Sequence, residues 1–336
     1  MATKDERISI SAAFSYKLCK KLDGISGAGS TAWWSSRVHK LYGVAPESLV
    51  PSNTKTDKEM LSVEIPFEAF EIARNFRAIY YQRLYTLNDF AYALNKKEDE
   101  PGGCAIEFDI FESIASAPKG EVPLPKIGEK RTGSHCVAAH KYIKKDNGQE
   151  FFFFSNSWGR NWGDNGFGYL PISYLEHDLI NSGWATDVQV LPEKNPKTVV
   201  QHLKGKKDKK FRVERNWYPP LRHSQYRVAV FDIYIDQDLL VGHIHVSPMN
   251  EDTAEIEEIY ILPQFQGLGL GAATLKLVEA TMRSYNFKRI IGWVGAQDVV
   301  SGRRGRVLRF FKKAKYSLVE DDSRFKDAVY KFDKVL

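Results

Sequence analysis

Residues 134–170 read SHCVAAHKYIKKDNGQEFFFFSNSWGRNWGDNGFGYL. Two β-rich runs, SHCVAAHKYI (134–143) and EFFFFSNSW (150–158), flank KKDNGQ, whose Asn147-Gly148 dipeptide is a strong hairpin-turn signal. The pattern predicts paired strands carrying His135 and Asn156. A purely structural reading, in which these residues complete a β core, accounts for the tryptophans and glycines that follow. It leaves the histidine and asparagine unexplained. An imidazole acts as a base when a third group holds it in one tautomer, and an asparagine side chain can be that group.

The rest of the chain sets the bounds. Its 336 residues exceed what one hydrophobic core usually serves, which predicts two domains. With 43% hydrophobic and 27% charged residues, the composition is that of folded material. Three cysteines, Cys19, Cys104 and Cys136, share no repeated spacing, which argues against a disulfide framework and a four-ligand zinc site. No metal is implied, and a reducing, cytoplasmic setting is expected. No apolar run approaches the roughly 20 residues of a spanning helix, so no membrane partner is expected. A net charge of +6 is modest and carries no specific nucleic-acid signal.

Composition shifts at 191–211, LPEKNPKTVVQHLKGKKDKKF, where prolines and a lysine cluster predict a linker over 193–211 between domains at 1–192 and 212–336. A solvated connector is one reading of Lys204, Lys206, Lys207, Lys209 and Lys210. Contact with an acidic partner or with cofactor phosphates is the other. Before the linker, helices are predicted over 9–22, over TAWWSSRVHKLYG and around TLNDFAYALNKK, with a glycine-rich turn DGISGAGS after the first. CAIEFDIF alternates as a strand should.

On these residues the first part resembles the papain-like cysteine peptidases. GSHCVAAHKY matches that family's histidine phrase, and SNSWGRNWGDNGFGYL its Asn-Ser-Trp-Gly, Trp-Gly, Asn-Gly-aromatic signature. The resemblance implies that His135 is the general base, that Asn156 orients it, and that Trp158 shields their hydrogen bond. More weakly, ISISAAFSYKLCKKLDGISGAGSTAWWSSRVHKLYGVAPESLVP resembles the part of bacterial members that follows the nucleophile helix. In the family the histidine and asparagine follow the cysteine by about 130–150 residues, which places a nucleophile before residue 9. Cys19 lies in KLCKK, outside the family's cysteine context. Cys136 neighbours His135 on a strand and points to the opposite face, and Cys104 reads as a core residue. The expectation is a papain-like domain with base and orienter but without its nucleophile segment and oxyanion glutamine.

The second part predicts a hairpin (YRVAVFDIYI, LLVGHIHV), a strand (EIEEIYIL), a helix (GAATLKLVEATMRSY), a strand (KRIIGWV), a second helix (RVLRFFKKA), and short strands at YSLV and AVYKF. Between the third strand and its helix lies LPQFQGLGLGAATLKLVEA, where glycines can bring backbone N–H groups close to a pyrophosphate at a positive helix end. A dinucleotide-binding reading fits less well, because it wants an acidic residue about 20 positions on, where this chain has KRIIGWV.

This phrase resembles the GNAT superfamily of acyl-CoA-dependent N-acyltransferases. The resemblance implies that Gln266, Gly267, Leu268, Gly269, Leu270 and Gly271 bind the pyrophosphate of acetyl-CoA, and that the strand backbone at Ile259, Tyr260 and Ile261 pairs with the pantetheine arm. Candidate bases for the ammonium proton are Glu255 and Glu257 on one strand face and Glu258 on the other. Solvated strand carboxylates are the alternative. Phe311 stands where the family often has an acid tyrosine, and Tyr316 aligns with the terminal aromatic of that phrase. Two alternatives follow: thiolate departure without a protein acid, or CoA binding without fast turnover. Residues 212–225 hold little helical pattern, so the family's first helices are shortened.

The expected architecture is α+β in two domains: a papain-like domain with a β-barrel half and an incomplete helical half, then a GNAT mixed sheet. The leading functional expectation is acetyl transfer from acetyl-CoA to an amine, with the papain-like part recognising a peptide or protein acceptor. The alternatives are a cysteine peptidase whose cysteine-bearing segment is missing from this chain, and a regulatory protein in which both sites only bind.

Overall fold

The computed structural model describes residues 9–52, 55–95, 103–188, 198–206, 209–236, 238–295, 304–321 and 328–336. The chain opens with α1 (Ala12–Asp23) and α2 (Ala32–Leu41). Ser11 caps α1 by accepting from the Phe14 N–H, Gly24 ends it at φ 68°, and Thr31 caps α2 through the Trp34 N–H. The first helix therefore starts later than the predicted residue 9, where the capping serine can leave helical geometry. Two short helices follow, α3 (Asp57–Ser62) and α4 (Phe67–Ala73). Then come β1 (Ala78–Leu84) and α5 (Leu87–Leu94), which begins with a Thr86–Asp89 capping box. The end of the predicted third helix, Lys96 and Lys97, lies outside the described residues.

The first sheet adds β2 (Cys104–Phe111), β3 (Arg131–Lys144), β4 (Glu150–Ser155) and β5 (Phe167–Pro171). After the single turn α6 (Ser173–Glu176), β6 (Ile180–Val188) returns between β1 and β2. All neighbours are antiparallel in the order β1-β6-β2-β3-β4-β5. β1 and β5 stand at the edges, so the expected barrel is an open six-stranded sheet among the described residues. Its core joins Phe90 of α5 to Ile106, Phe108, Val137, Phe152, Phe154 and Leu170. Burying each such side chain contributes about 1.5–3 kcal/mol.

The second sheet begins earlier than predicted. β7 (Val199–Lys204) pairs with β8 (Lys210–Tyr218), so much of the stretch expected as a linker is a β-hairpin of the sheet. Residues 193–197, Lys207 and Asp208 of that stretch lie outside the described residues. The turn residue Gly205 sits so close to the Leu268 carbonyl that a Cβ there would lie 2.4 Å from its oxygen. A lysine-rich composition suggested solvation; backbone pairing decided otherwise.

β9 (Val228–Ile235), β10 (Leu239–Pro248) and β11 (Thr253–Ile261) continue as a meander. Helix α7 (Leu270–Ser284) then crosses back to β12 (Arg289–Gly295), which runs parallel to β11. Helix α8 (Arg304–Lys313), β13 (Ser317–Glu320) and β14 (Ala328–Val335) complete the order β13-β14-β12-β11-β10-β9-β8-β7.

Two irregularities of β11 shape the site. It pairs with β12 from Thr253 to Ile256, and beyond Ile256 no strand among the described residues continues that pairing while β12 stays bonded to β14. The sheet opens there. On its other edge His245 pairs with Glu258 and Val246 with Ile256, so Glu257 is an extra residue in a β-bulge.

The two parts share buried surface. Phe14, Leu18, Trp34, Val38 and Leu41 of α1 and α2 pack in one cluster with Leu240, Tyr260 and Leu262 of the second sheet. Tyr80 of β1 stacks on Tyr218 of β8 at 5.3 Å, and Lys40 of α2 is ion-paired with Asp232 of β9 at 2.7 Å. Tyr81 bonds the ring of buried His243 at 3.0 Å. Residues 212–225, where the first helices of the second part were expected to be shortened, hold no helix: β8 runs to Tyr218 and the loop 219–227 leads on to β9.

Candidate active sites

The first candidate site is the His135–Asn156 pair. Strand β3 places His135 opposite Phe108 of β2, and Asn156 follows directly on β4. The Asn156 Oδ1 accepts the Ser157 N–H at 2.8 Å and lies 2.8 Å from His135 Nε2. An oxygen in that position requires a proton on Nε2, which leaves the Nδ1 lone pair available as a base. Trp158 stacks on the imidazole with ring centroids 4.7 Å apart, and Phe108 meets it edge-on at 6.2 Å. Histidine and asparagine are thus assembled as a hydrogen-bonded pair.

Among the described residues no cysteine stands beside them. Cys19 is buried on α1, where burial pushes its thiol up to about 12, and it belongs to the hydrophobic cluster shared with the second sheet. Cys104 is buried in the first sheet, and burial raises its thiol too. Cys136 follows His135 on β3, where alternation sends successive side chains to opposite faces. Among the described residues the partners of His135 are Asn156, Trp158 and Phe108, with no cysteine among them.

The second candidate site lies at the opening of β11. Gly267 and Gly269 take φ 82° and 81°, the left-handed region that favours glycine. Gly269 is the N-cap of α7 and no side chain caps it, so the helix end faces the groove with its backbone donors. Gln266 is fixed from both sides: its amide donates to the Ile261 carbonyl at 2.8 Å and accepts from Arg306 at 2.7 Å. The Lys206 N–H donates to the Leu268 carbonyl at 2.7 Å, which brings one lysine of the basic stretch beside the loop.

The groove encloses about 790 Å³ and runs past Gln266, Gly267, Gly269, Leu270 and Gly271 to Ile259, Tyr260 and Ile261. Leu268 does not border it and contributes through its carbonyl. Lys206, Lys276, Arg306, Lys313, Lys315 and Lys334 make its rim basic. At Ile259–Ile261 one edge of β11 bonds β10, and among the described residues no strand pairs with the other, as an extended amide-bearing chain would need in order to pair there.

A second cavity of about 110 Å³ continues from the groove between the two parts of the chain. Glu255, Glu257 and Glu258 all border it, and the bulge at Glu257 explains how residues expected on two faces reach one space. Each carboxylate is engaged. Arg222 from the loop 219–227 pairs with Glu257 and lies 3.7 Å from Glu255. The Gln82 amide donates to both Glu257 oxygens at 3.1 Å. Trp33 donates to Glu258 at 2.8 Å, and Arg37 donates to it through Nε at 3.0 Å and Nη2 at 2.5 Å. The bland expectation of solvated carboxylates fails for Glu255 and Glu258, which are 2% and 6% exposed.

The opposite wall comes from the first part: Trp33, Arg37, Tyr81, Arg83, Tyr85 and Trp184. None of these was legible as a site residue, because their role depends on packing between distant segments. The only hint was the aromatic and basic face of α2, with Trp33 and Arg37 spaced i, i+4. Phe311, at the tyrosine's place, is buried and stacks on Phe332 at 3.8 Å. Tyr316 borders neither cavity.

Comparison with known proteins identifies the two parts of the chain that carry these candidate sites. Residues 91–180 match the papain family cysteine proteases, and residues 196–314 match the acetyltransferase (GNAT) family. The chain therefore carries two enzyme-type domains, a papain-like C1 peptidase domain followed by a GNAT acetyltransferase domain. A peptidase C1-like protein of Acanthamoeba polyphaga mimivirus is 29% identical over 131 residues, 36% of this chain and 41% of that relative, so the chain spans less than half of it. Among solved structures, xylellain, a cysteine protease from Xylella fastidiosa, is similar at 21% identity and a TM-score of 0.44. That match covers 53% of this chain and 69% of xylellain. The PaiA N-acetyltransferase from Thermoplasma acidophilum, solved in complex with coenzyme A, is similar at 17% identity and a TM-score of 0.27, covering 32% of this chain and 61% of that one.

Proposed function

We propose that this chain transfers the acetyl group of acetyl-CoA to a primary amine, and that its papain-like part recognises the acceptor as a peptide or protein. The observation that carries the reading is continuity. A basic groove ending at an uncapped helix terminus opens, where β11 leaves β12, into a carboxylate-lined cavity walled by the papain-like part. In the proposed reaction, backbone donors of Gln266–Gly271 hold the pyrophosphate and the open edge at Ile259–Ile261 pairs with the pantetheine amides. The amine enters from the second cavity and loses its proton to Glu257, the least enclosed of the three carboxylates. Holding amine and thioester together supplies most of the acceleration. The small second cavity suits an amine end rather than a folded segment.

The test is acetyl-CoA-dependent release of CoA thiol with Ala-Gly-Gly as acceptor, repeated with Gly269→Glu. Release that depends on the peptide amine and is lost in the variant supports the reading; thiol release indifferent to the variant refutes it.

The His135–Asn156 geometry favours a second reading, a cysteine peptidase whose thiol comes from a segment other than those described. It requires a thiolate beside His135 Nδ1. Hydrolysis of a fluorogenic peptide by this chain, abolished by Cys19→Ala, would instead make Cys19 the thiol and refute this reading; the expected result is no hydrolysis.

A further inference from the structure

The groove and the second cavity meet at four residues that border both: Arg37, Ile259, Val307 and Phe311. Three are apolar. The fourth, Arg37, belongs to α2 of the papain-like part and not to the acetyltransferase sheet. Resting on the acetyl-CoA reading above, we infer that Arg37 is a catalytic residue for acetyl transfer, supplied across the domain boundary to stabilise the negative charge that develops on the thioester and on the departing CoA sulfur.

The chemistry at this junction demands such a group. The amine nitrogen forms a bond to the thioester carbonyl carbon and the carbonyl π pair moves to oxygen. The C–S bond then breaks, its electron pair leaves on sulfur, and the ammonium proton goes to Glu257. Negative charge therefore appears first on oxygen and then on sulfur. None of the Phe311, Ile259 and Val307 side chains has a donor to meet it. A guanidinium does, without giving up its own proton, and adjacent positive charge favours a thiolate over a thiol.

Arg37 is also held ready for that role. It is 3% exposed, and two of its N–H groups converge on one oxygen of Glu258. Its guanidinium carbon lies 3.5 Å from the centroid of the Trp33 ring and 4.3 Å from that of Tyr260. A cation fixed before substrate arrives needs no reorganisation as charge develops. On this account Glu258 is a positioning residue, and that role also explains its burial against Trp33 and Arg37.

The experiment uses the full chain with Arg37→Gln, and with Arg37→Gln combined with Glu258→Gln, a neutral hydrogen-bonded pair that keeps the fold if the single variant leaves Glu258 unpaired. Calorimetry measures acetyl-CoA affinity, thiol release with Ala-Gly-Gly measures kcat, and thiolate absorbance against pH measures the acidity of bound CoA thiol. The expected result is acetyl-CoA affinity within about threefold of wild type and kcat lower by about 10²–10³-fold. The bound thiol should titrate about one pH unit or more lower in the wild type than in either variant. Phe311→Tyr in the double variant, which restores a donor at the junction, should recover part of kcat. An unchanged kcat, or a bound thiol that titrates alike in wild type and variants, overturns the role of Arg37 while leaving acetyl-CoA binding intact. A wild-type chain that binds no acetyl-CoA defeats the underlying reading itself.

Discussion

Replacing either glycine of the phosphate loop by alanine should weaken acetyl-CoA binding, and position 269 should suffer more than position 267. Both take a left-handed φ, 81° and 82°, which costs an L-residue about 1–2 kcal/mol. Their surroundings differ. A Cβ on Gly267 meets nothing within 4 Å, whereas on Gly269 it would lie 3.0 Å from the Lys206 nitrogen and 3.1 Å from its Cγ. That nitrogen is tied to the Leu268 carbonyl at 2.7 Å, so retreat breaks a hydrogen bond worth about 1 kcal/mol. An unliganded loop can relax out of the strained conformation, but it must return to it to bind, so the cost falls on affinity. The expected losses are about 5–30-fold for Gly267→Ala and about fivefold more for Gly269→Ala, by the conversion of 1.4 kcal/mol per factor of ten. Calorimetric titration with acetyl-CoA reads both. Equal losses, or a larger loss at 267, would refute the assignment of this loop geometry to the bound state.

Other predictions concern histidines. Burial holds His243 and His245 well below the ordinary histidine range and lowers His39 to about 4. Their folded values are depressed, so the stability they confer is present above about pH 6.5 and is lost on acidification, at up to about 1.4 kcal/mol per pH unit for each. Denaturant unfolding between pH 7 and 5 should show that slope, shallower by one histidine in His39→Gln; a flat profile would contradict the burial. For His135, nitrogen NMR should find the neutral ring protonated on Nε2, with this preference lost in Asn156→Ala.

Much of the fold was legible where local pattern and tertiary role coincide. β2 spans the residues its alternation predicted, and the Asn147-Gly148 turn joins β3 to β4. The strand, glycine loop and helix around Gly269 also follow from sequence, because a glycine turn into a helix is a local device. Three features were not legible. β7 hides among lysines because its strand is defined by pairing to β8, not by composition. β1 carries Ile79, Tyr80, Tyr81, Gln82 and Arg83 in a run without a polar and apolar alternation, since both of its faces are used: Tyr80 and Leu84 belong to the first sheet's core, and Tyr81 and Gln82, on opposite faces, both bond β10. The wall of the second cavity is the third. Trp33, Arg37 and Tyr81 lie about 174 to 225 residues from the carboxylates they face, and only the packing of α2 and β1 onto β10 and β11 brings them there. The assignment of Glu255, Glu257 and Glu258 to opposite faces likewise missed the bulge, which two-residue periodicity cannot reveal.

The central claim is that the second sheet binds acetyl-CoA through its glycine loop. Calorimetric titration of the full chain with acetyl-CoA tests it most directly. Saturable one-to-one binding in the micromolar range, abolished by Gly269→Glu, is the predicted result; absence of binding at millimolar acetyl-CoA, or binding that Gly269→Glu leaves unchanged, would contradict it.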